Sequence, residues 1–297
     1  MSDISPAQAL SENDPPPLPL DDLPKWSPWP SRLLGLEEFA QQHRDVKKIE
    51  EEYSHGKWQA CRDAFHKSGG KMTPQALRMN FYAKDPTALR AGVRHGKLCV
   101  TSTTQLMKWH DGALVEIMRD AIEQSKTVVE LGCAFGFNLW NLSRLFPDKQ
   151  YRGGEYADSA IELARELYFH EPHIRVEKFN FYDQTYKILE EAEGPITVYT
   201  SQALEQIPFA DQVIETLGVY RDKIAAVVHL EPSYELYGTD DLMGQMRRRY
   251  IEVNDYNRDL VSAISRRDKD IRIVSQTPGI LGWNPFNSLA LIHWEFK

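Results

Sequence analysis

The chain has 297 residues, 42% of them apolar and 26% charged, with 35 Lys and Arg against 43 Asp and Glu and a formal charge of −8. That balance lacks the positive field a general nucleic-acid or anionic-membrane binder needs, and no apolar run approaches the length of a transmembrane helix. The three cysteines, Cys61, Cys99 and Cys133, are too far apart for a CxxC metal site and odd in number for a disulfide framework; with no basic-then-apolar leader at the start, a cytoplasmic, metal-free protein with reduced thiols is expected.

Residues 1–30 carry eight of the 17 prolines, including Pro15-Pro16-Pro17. Such a segment has little to bury, so a disordered or extended tail is expected. Trp26 and Trp29 are the exception, because two indoles are costly to leave in water and should dock on the body. Residues 31–121 read as helical. Leu36, Phe39 and Ala40, then Val46, Ile49 and Tyr53, recur at three-to-four spacing, and Gly56, Gly69-Gly70 and Pro86 punctuate the run. A last helix starts after the capping cluster Ser102-Thr103-Thr104. No strand-like alternation stands out, so a helical lid or substrate region is expected, with Tyr82, Trp109 and His110 as candidate lining.

From residue 122 onward the rhythm changes. Strands are predicted at 127–133, 151–156, 174–181, 196–202 and 225–231, with helices between them. A long helix over 241–267 then precedes two closing strands, 271–276 and 288–296. Alternation of this kind builds an α/β domain with a doubly wound, mostly parallel sheet. The last two strands have only a Gly-, Pro- and Asn-rich link between them, which predicts an antiparallel last strand and seven strands in all.

The first predicted strand, Val128-Val129-Glu130-Leu131, runs into Gly132-Cys133-Ala134-Phe135-Gly136 and then a helix beginning near Asn138. Glycine lets a ligand approach the main chain closely. At the end of the next strand stands Glu155, where a carboxylate can accept both ribose hydroxyls. The bland alternative is a tight strand-to-helix turn. A nicotinamide site would show G-x-G-x-x-G, whereas here Gly132, Ala134, Gly136 and Asn138 occupy those steps.

The pattern E-x-G-x-x-x-G resembles the first motif of the class I S-adenosylmethionine-dependent methyltransferases. Glu155-Tyr156-Ala-Asp-Ser-Ala160 continues as that family's second strand does. Asn180-Phe181-Tyr182-Asp183 sits where the family contacts adenine, through Asn180 or Asp183. Ser201-Gln202-Ala203-Leu204-Glu205-Gln206-Ile207-Pro208 resembles its fourth-strand segment, with Gln206 in place of a frequent histidine and Ala134 in place of the middle glycine. The resemblance implies S-adenosylmethionine as cofactor, held by Glu130, Gly132, Cys133, Ala134, Gly136, Asn138, Glu155, Tyr156, Asn180, Phe181, Asp183 and Ser201.

The fourth strand ends Tyr199-Thr200-Ser201-Gln202 and lacks the N-P-P-Y quartet of amino-methylating nucleic-acid enzymes, so a small-molecule substrate is expected, with Tyr199, Gln202 and Tyr234 near it. The fifth ends His229-Leu230-Glu231-Pro232-Ser233-Tyr234-Glu235. Glu231 follows an apolar run where an unpaired charge is expensive. It and Glu235 are candidates to hold an amine or guanidine, with His229 or Glu231 as base for a hydroxyl acceptor. Against this, Glu231 could pair with a protein cation or cap a turn, and His229 could be a core residue. The Arg247-Arg248-Arg249 run reads as a solvated or salt-bridged face. The expected activity is methyl transfer to a small molecule, with nitrogen favoured over a sugar or phenolic oxygen. An NAD-dependent oxidoreductase and a non-catalytic interaction module are the other readings.

Overall fold

The computed structural model describes residues 15–297. Nine strands form one sheet: β1 Leu89–Arg94, β2 Lys97–Ser102, β3 Thr127–Leu131, β4 Gln150–Glu155, β5 Ile174–Lys178, β6 Ile196–Ser201, β7 Ile224–Glu231, β8 Ile271–Gly282 and β9 Leu289–Phe296. Their order is β2-β1-β8-β9-β7-β6-β3-β4-β5. The β5-β4-β3-β6-β7 block is parallel. On its β7 side, β9, β8, β1 and β2 add on antiparallel.

Two buried layers flank the parallel block, as the alternation of side chains along each strand requires. Val129, Leu131, Val198 and Val227 face one way, against the helices Asp211–Gly218 and Leu260–Ser265. Val128, Tyr199, Val228 and Leu230 face the other, against Thr103–Glu123 and Phe137–Ser143. From β3 the chain winds out through β4 to β5, then returns to β6 on the opposite side of β3. A crevice therefore opens between the carboxyl ends of β3 and β6, where the winding reverses.

Three expectations are corrected. The sheet has nine strands rather than seven, because residues 89–102 form a β-hairpin instead of helix. Its turn is His95-Gly96, both with positive φ (48° and 77°) as a two-residue hairpin turn requires. Charged Arg90, Arg94 and Lys97 interrupt the apolar alternation and hide the strands. The single helix over 241–267 is two, Leu242–Val253 and Leu260–Ser265. Asp255 turns the chain at φ 55° and the Asn257 side-chain Oδ1 accepts from the N–H groups of Asp259 and Leu260.

The proline-rich start is ordered over residues 15–30, while 1–14 lie outside the described residues. Leu18 N–H donates to Leu98 O at 2.9 Å, and Leu23 is fully buried. Trp29 packs edge-on against Phe39 and Tyr250, whereas Trp26 stays 40% exposed. Beyond it, Val46–Ile49, Glu50–Lys57 and Trp58–Lys67 form one helical run, widened to π geometry over its middle section. Pro74–Tyr82 follows, capped by Thr73 accepting from Ala76 N–H. Among the described residues no helix is long and apolar enough to cross a membrane.

Candidate active site

Gly132, Ala134 and Gly136 all take left-handed backbone angles (φ 81°, 51° and 78°), so the turn after β3 coils tightly, with the Gly132 and Cys133 N–H groups donating to Gly154 O at the end of β4. For Ala134 this conformation costs about 1–2 kcal/mol. Its N–H donates to Glu155 Oε2 at 2.7 Å, and Ala157 N–H donates to Glu155 Oε1 at 2.8 Å. Glu155 thus stands at the carboxyl end of β4, pinned by two main-chain donors against the glycine turn. Burial raises its carboxyl above the usual range, against the pull of those hydrogen bonds.

Gly132 has a second duty. A Cβ there would lie 2.2 Å from the Cβ of Ala203, so glycine lets the loop after β6 close against the turn after β3. Glu231 holds that loop from below, as its buried carboxylate accepts from the N–H groups of Ala203 and Leu204 (3.1 Å each) and Glu205 (3.2 Å). Desolvation pushes its carboxyl up to about 7.

Two adjoining chambers open over this floor. The first is lined by Glu155, Tyr156, Asn180, Phe181 and Ile207, with Val46 and Ile49 above. The second is lined by Glu130, Cys133, Asn138, Ser201 and Glu205, with Arg78, Tyr82, His110, Tyr256 and Trp283 around it. Gly132, Ala134, Gln202, Tyr53 and Trp58 border both. The N-terminal helices therefore roof the crevice.

Most residues expected around a cofactor come together here. Asn180 lines the first chamber while Asp183 does not, and the Asn180 carboxamide oxygen accepts from Tyr182 N–H. Gly136 packs behind the turn, with Tyr168 and Val176 where a Cβ would go. In the second chamber Glu130 Oε1 accepts from Asn138 Nδ2 at 2.7 Å, and burial pushes its carboxyl up to about 8.

The residues expected to do chemistry do not come together. Glu231 is spent on the β6 loop. Glu235 accepts from the Val261 and Ser262 N–H groups at the start of the last helix. His229 is fully buried inside the sheet, its Nδ1 3.0 Å from Thr200 Oγ1, and desolvation pushes it down to about 3, so it stays neutral. Tyr199 is also fully buried, and Tyr234 donates to Glu252 at 2.9 Å. None of these five side chains lines either chamber: Glu231 and Glu235 hold main-chain amides, His229 and Tyr199 are enclosed in the sheet, and Tyr234 is tied to Glu252. Of the lid candidates, Tyr82 and His110 line the second chamber, whereas Trp109 is buried under the Arg94 guanidinium. Arg248 and Arg247 donate to main-chain carbonyls of Tyr237 and Pro285, and Arg249 pairs with Glu252.

Sequence reasoning missed Glu205 as a site residue. Its carboxylate accepts from Asn287 Nδ2 at 3.0 Å and Gln206 Nε2 at 2.8 Å, and Gln206 in turn accepts from Arg44 at 2.5 Å. Its place in the fourth-strand segment was the available signal. Arg78, Tyr53 and Trp283 lie in segments with no motif, and nothing local could have found them.

In its glycine turn, its Glu155 and its strand order with β9 inserted beside β8, the chain resembles the class I S-adenosylmethionine-dependent methyltransferases. No family model and no curated protein matches it. Among solved structures it is similar to the pyocyanin biosynthetic protein PhzM (13% identity, TM-score 0.46, 64% of this chain and 56% of that one). It is similar also to the N-methyltransferase NodS from Bradyrhizobium japonicum WM9, solved with S-adenosyl-L-homocysteine (14%, TM-score 0.45, 64% and 87%). A third is the plantazolicin methyltransferase BpumL (11%, TM-score 0.45, 85% and 98%). The first match spans little more than half the length of its neighbour.

Proposed function

We propose that this protein is an S-adenosylmethionine-dependent methyltransferase acting on a small molecule, with a nitrogen acceptor. The observation that carries the cofactor is Glu155, fixed by Ala134 and Ala157 N–H at the mouth of the first chamber. Its remaining lone pairs suit a pair of ribose hydroxyls. Asn180, Phe181 and Ile207 offer a polar edge and apolar faces to a purine. When bound, the cofactor supplies an electrophilic methyl group on a sulfonium.

What the chain's own residues contribute follows from their placement. Gly132 and Gln202, bordering both chambers, mark where a reacting methyl would pass between them. Glu205, a buried carboxylate beside Tyr256 and Tyr53, suits a cationic or proton-releasing nitrogen through charge pairing and ring-face attraction. This is the role expected of Glu231, carried over to a carboxylate that lines the chamber. Tyr53, Trp58 and Tyr82 roof the chamber with aromatic rings, which would shield a bound nitrogen from water and strengthen each such interaction.

Thermal shift with S-adenosylmethionine, S-adenosylhomocysteine and NAD tests the cofactor. Both adenosyl compounds should stabilise the protein and NAD should not; stabilisation by NAD alone would move the protein to the oxidoreductases. Glu155→Ala should weaken S-adenosylhomocysteine binding by about 10- to 100-fold, the worth of one charge-assisted bond. Methyl transfer to a panel of amines, guanidines and hydroxylated metabolites, repeated with Glu205→Gln, tests the acceptor. The variant should lose at least about tenfold in kcat/KM, and turnover confined to hydroxyl acceptors would overturn the nitrogen assignment.

A further inference from the structure

If the adenosyl group occupies the first chamber with its ribose on Glu155, the amino-acid end of the cofactor passes over Gly132 and Ala134 into the second, because those residues border both. That end carries a carboxylate, and burying an unpaired carboxylate is expensive. Three cations line the second chamber: Lys57, Arg78 and Arg90. Lys57 is engaged by Glu52 at 2.7 Å, and Arg90 stands exposed on the outer hairpin. Arg78 is different in kind. It is buried on the helix Pro74–Tyr82, and its guanidinium lies 4.1 Å from the ring centroid of Phe137, the first residue of the helix that follows the glycine turn.

Two neighbours orient it. Asp111 Oδ1 accepts from Arg78 Nη1 at 2.5 Å, and His110 Nδ1 lies 3.4 Å from Nη2. Trp283, 5.9 Å from the guanidinium carbon, adds a second ring. A guanidinium has five N–H donors in a rigid plane. Asp111 takes one N–H of Nη1, His110 stands beside Nη2 and two rings lie near the guanidinium, which leaves further N–H groups for a planar anion in the chamber.

We propose that Arg78 binds the carboxylate of the cofactor's amino-acid moiety, so that the N-terminal helical segment completes the cofactor pocket as well as roofing it. The proposal rests on the reading of the cofactor given above. It assigns Asp111 and His110 as positioning residues for the guanidinium.

Calorimetric titration tests it with three probes: S-adenosylhomocysteine, its decarboxylated analogue, and 5′-methylthioadenosine, which lacks the whole amino-acid end. Wild-type protein should bind S-adenosylhomocysteine about 10- to 100-fold more tightly than the decarboxylated analogue. Arg78→Met should abolish that preference and leave methylthioadenosine binding unchanged. Arg78→Lys keeps the charge but loses the fork and should retain part of it, which keeps the test alive should Arg78→Met not fold. Equal binding of the first two probes by wild type, an undiminished preference in either variant that folds, or equal loss of all three probes overturns the assignment. Failure of wild type to bind any probe overturns the cofactor reading itself.

Discussion

Glu231 and Glu130 are carboxyls folded into places where charge is costly, and their pH linkage follows from that. Each has an ordinary value of 4.5, raised on folding to about 7 for Glu231 and about 8 for Glu130, with desolvation as the first cause. The folded chain therefore binds their protons more tightly than the unfolded chain does. Their contribution to stability is full below about pH 4.5 and is lost as pH rises through 7 and 8. Urea unfolding of wild type and Glu231→Gln between pH 4.5 and 8.5 should show the gap between the two midpoints changing across that window, with wild type losing more on the alkaline side. Parallel midpoint curves would show that Glu231 does not titrate there. At this scale the sequence was half legible: an acid after an apolar strand announces a buried charge, but whether a substrate cation or three backbone amides compensate it depends on where the β6 loop closes.

Among the elements, the glycine turn and the hairpin make different demands on single residues. Gly132 meets two constraints at once, a positive φ and a neighbour 2.2 Å from any added Cβ. Gly132→Ala should therefore push the β6 loop away, displace Glu205, and lower both melting temperature and S-adenosylhomocysteine affinity. Ser102, whose hydroxyl accepts from Gln105 N–H at 3.1 Å, caps the helix Thr103–Glu123 and lines neither chamber. Ser102→Ala should cost about 1 kcal/mol in denaturant unfolding and leave ligand affinity unchanged. A matching loss of affinity in the second variant would mean that the cap and the site are coupled. The cap was readable from the Ser-Thr-Thr cluster. The hairpin before it was not, since short strands interrupted by Arg90, Arg94 and Lys97 carry little period-two signal, and the partner strand β8 lies far along the chain.

Across the whole molecule, the N-terminal segment wraps the domain. Pro17 and Leu18 pair with β2 at Cys99 and Leu98, Arg44 reaches Gln206 and Asn254 O, and the run from Val46 to Lys67 covers the crevice. A ligand in the first chamber would contact this cover from beneath. Hydrogen exchange at residues 50–58 should slow at least about tenfold on saturation with S-adenosylhomocysteine, as a segment that opens to admit ligand is drawn from the less stable part of a fold. Unchanged exchange would mean that the cover does not respond to the site.

By itself the sequence determined the parallel α/β core, the glycine turn and the place of Glu155, because strand period, left-handed turn residues and the spacing from turn to second strand are local properties of a chain. Only the tertiary structure decided which carboxylate faces the chamber, which cations stand over it, and that a hairpin extends the sheet. Those depend on contacts between residues far apart in sequence. Arg44 with Gln206, Arg78 with Phe137 and Gly132 with Ala203 are set by how the segments pack, and the pattern within any one segment does not encode them.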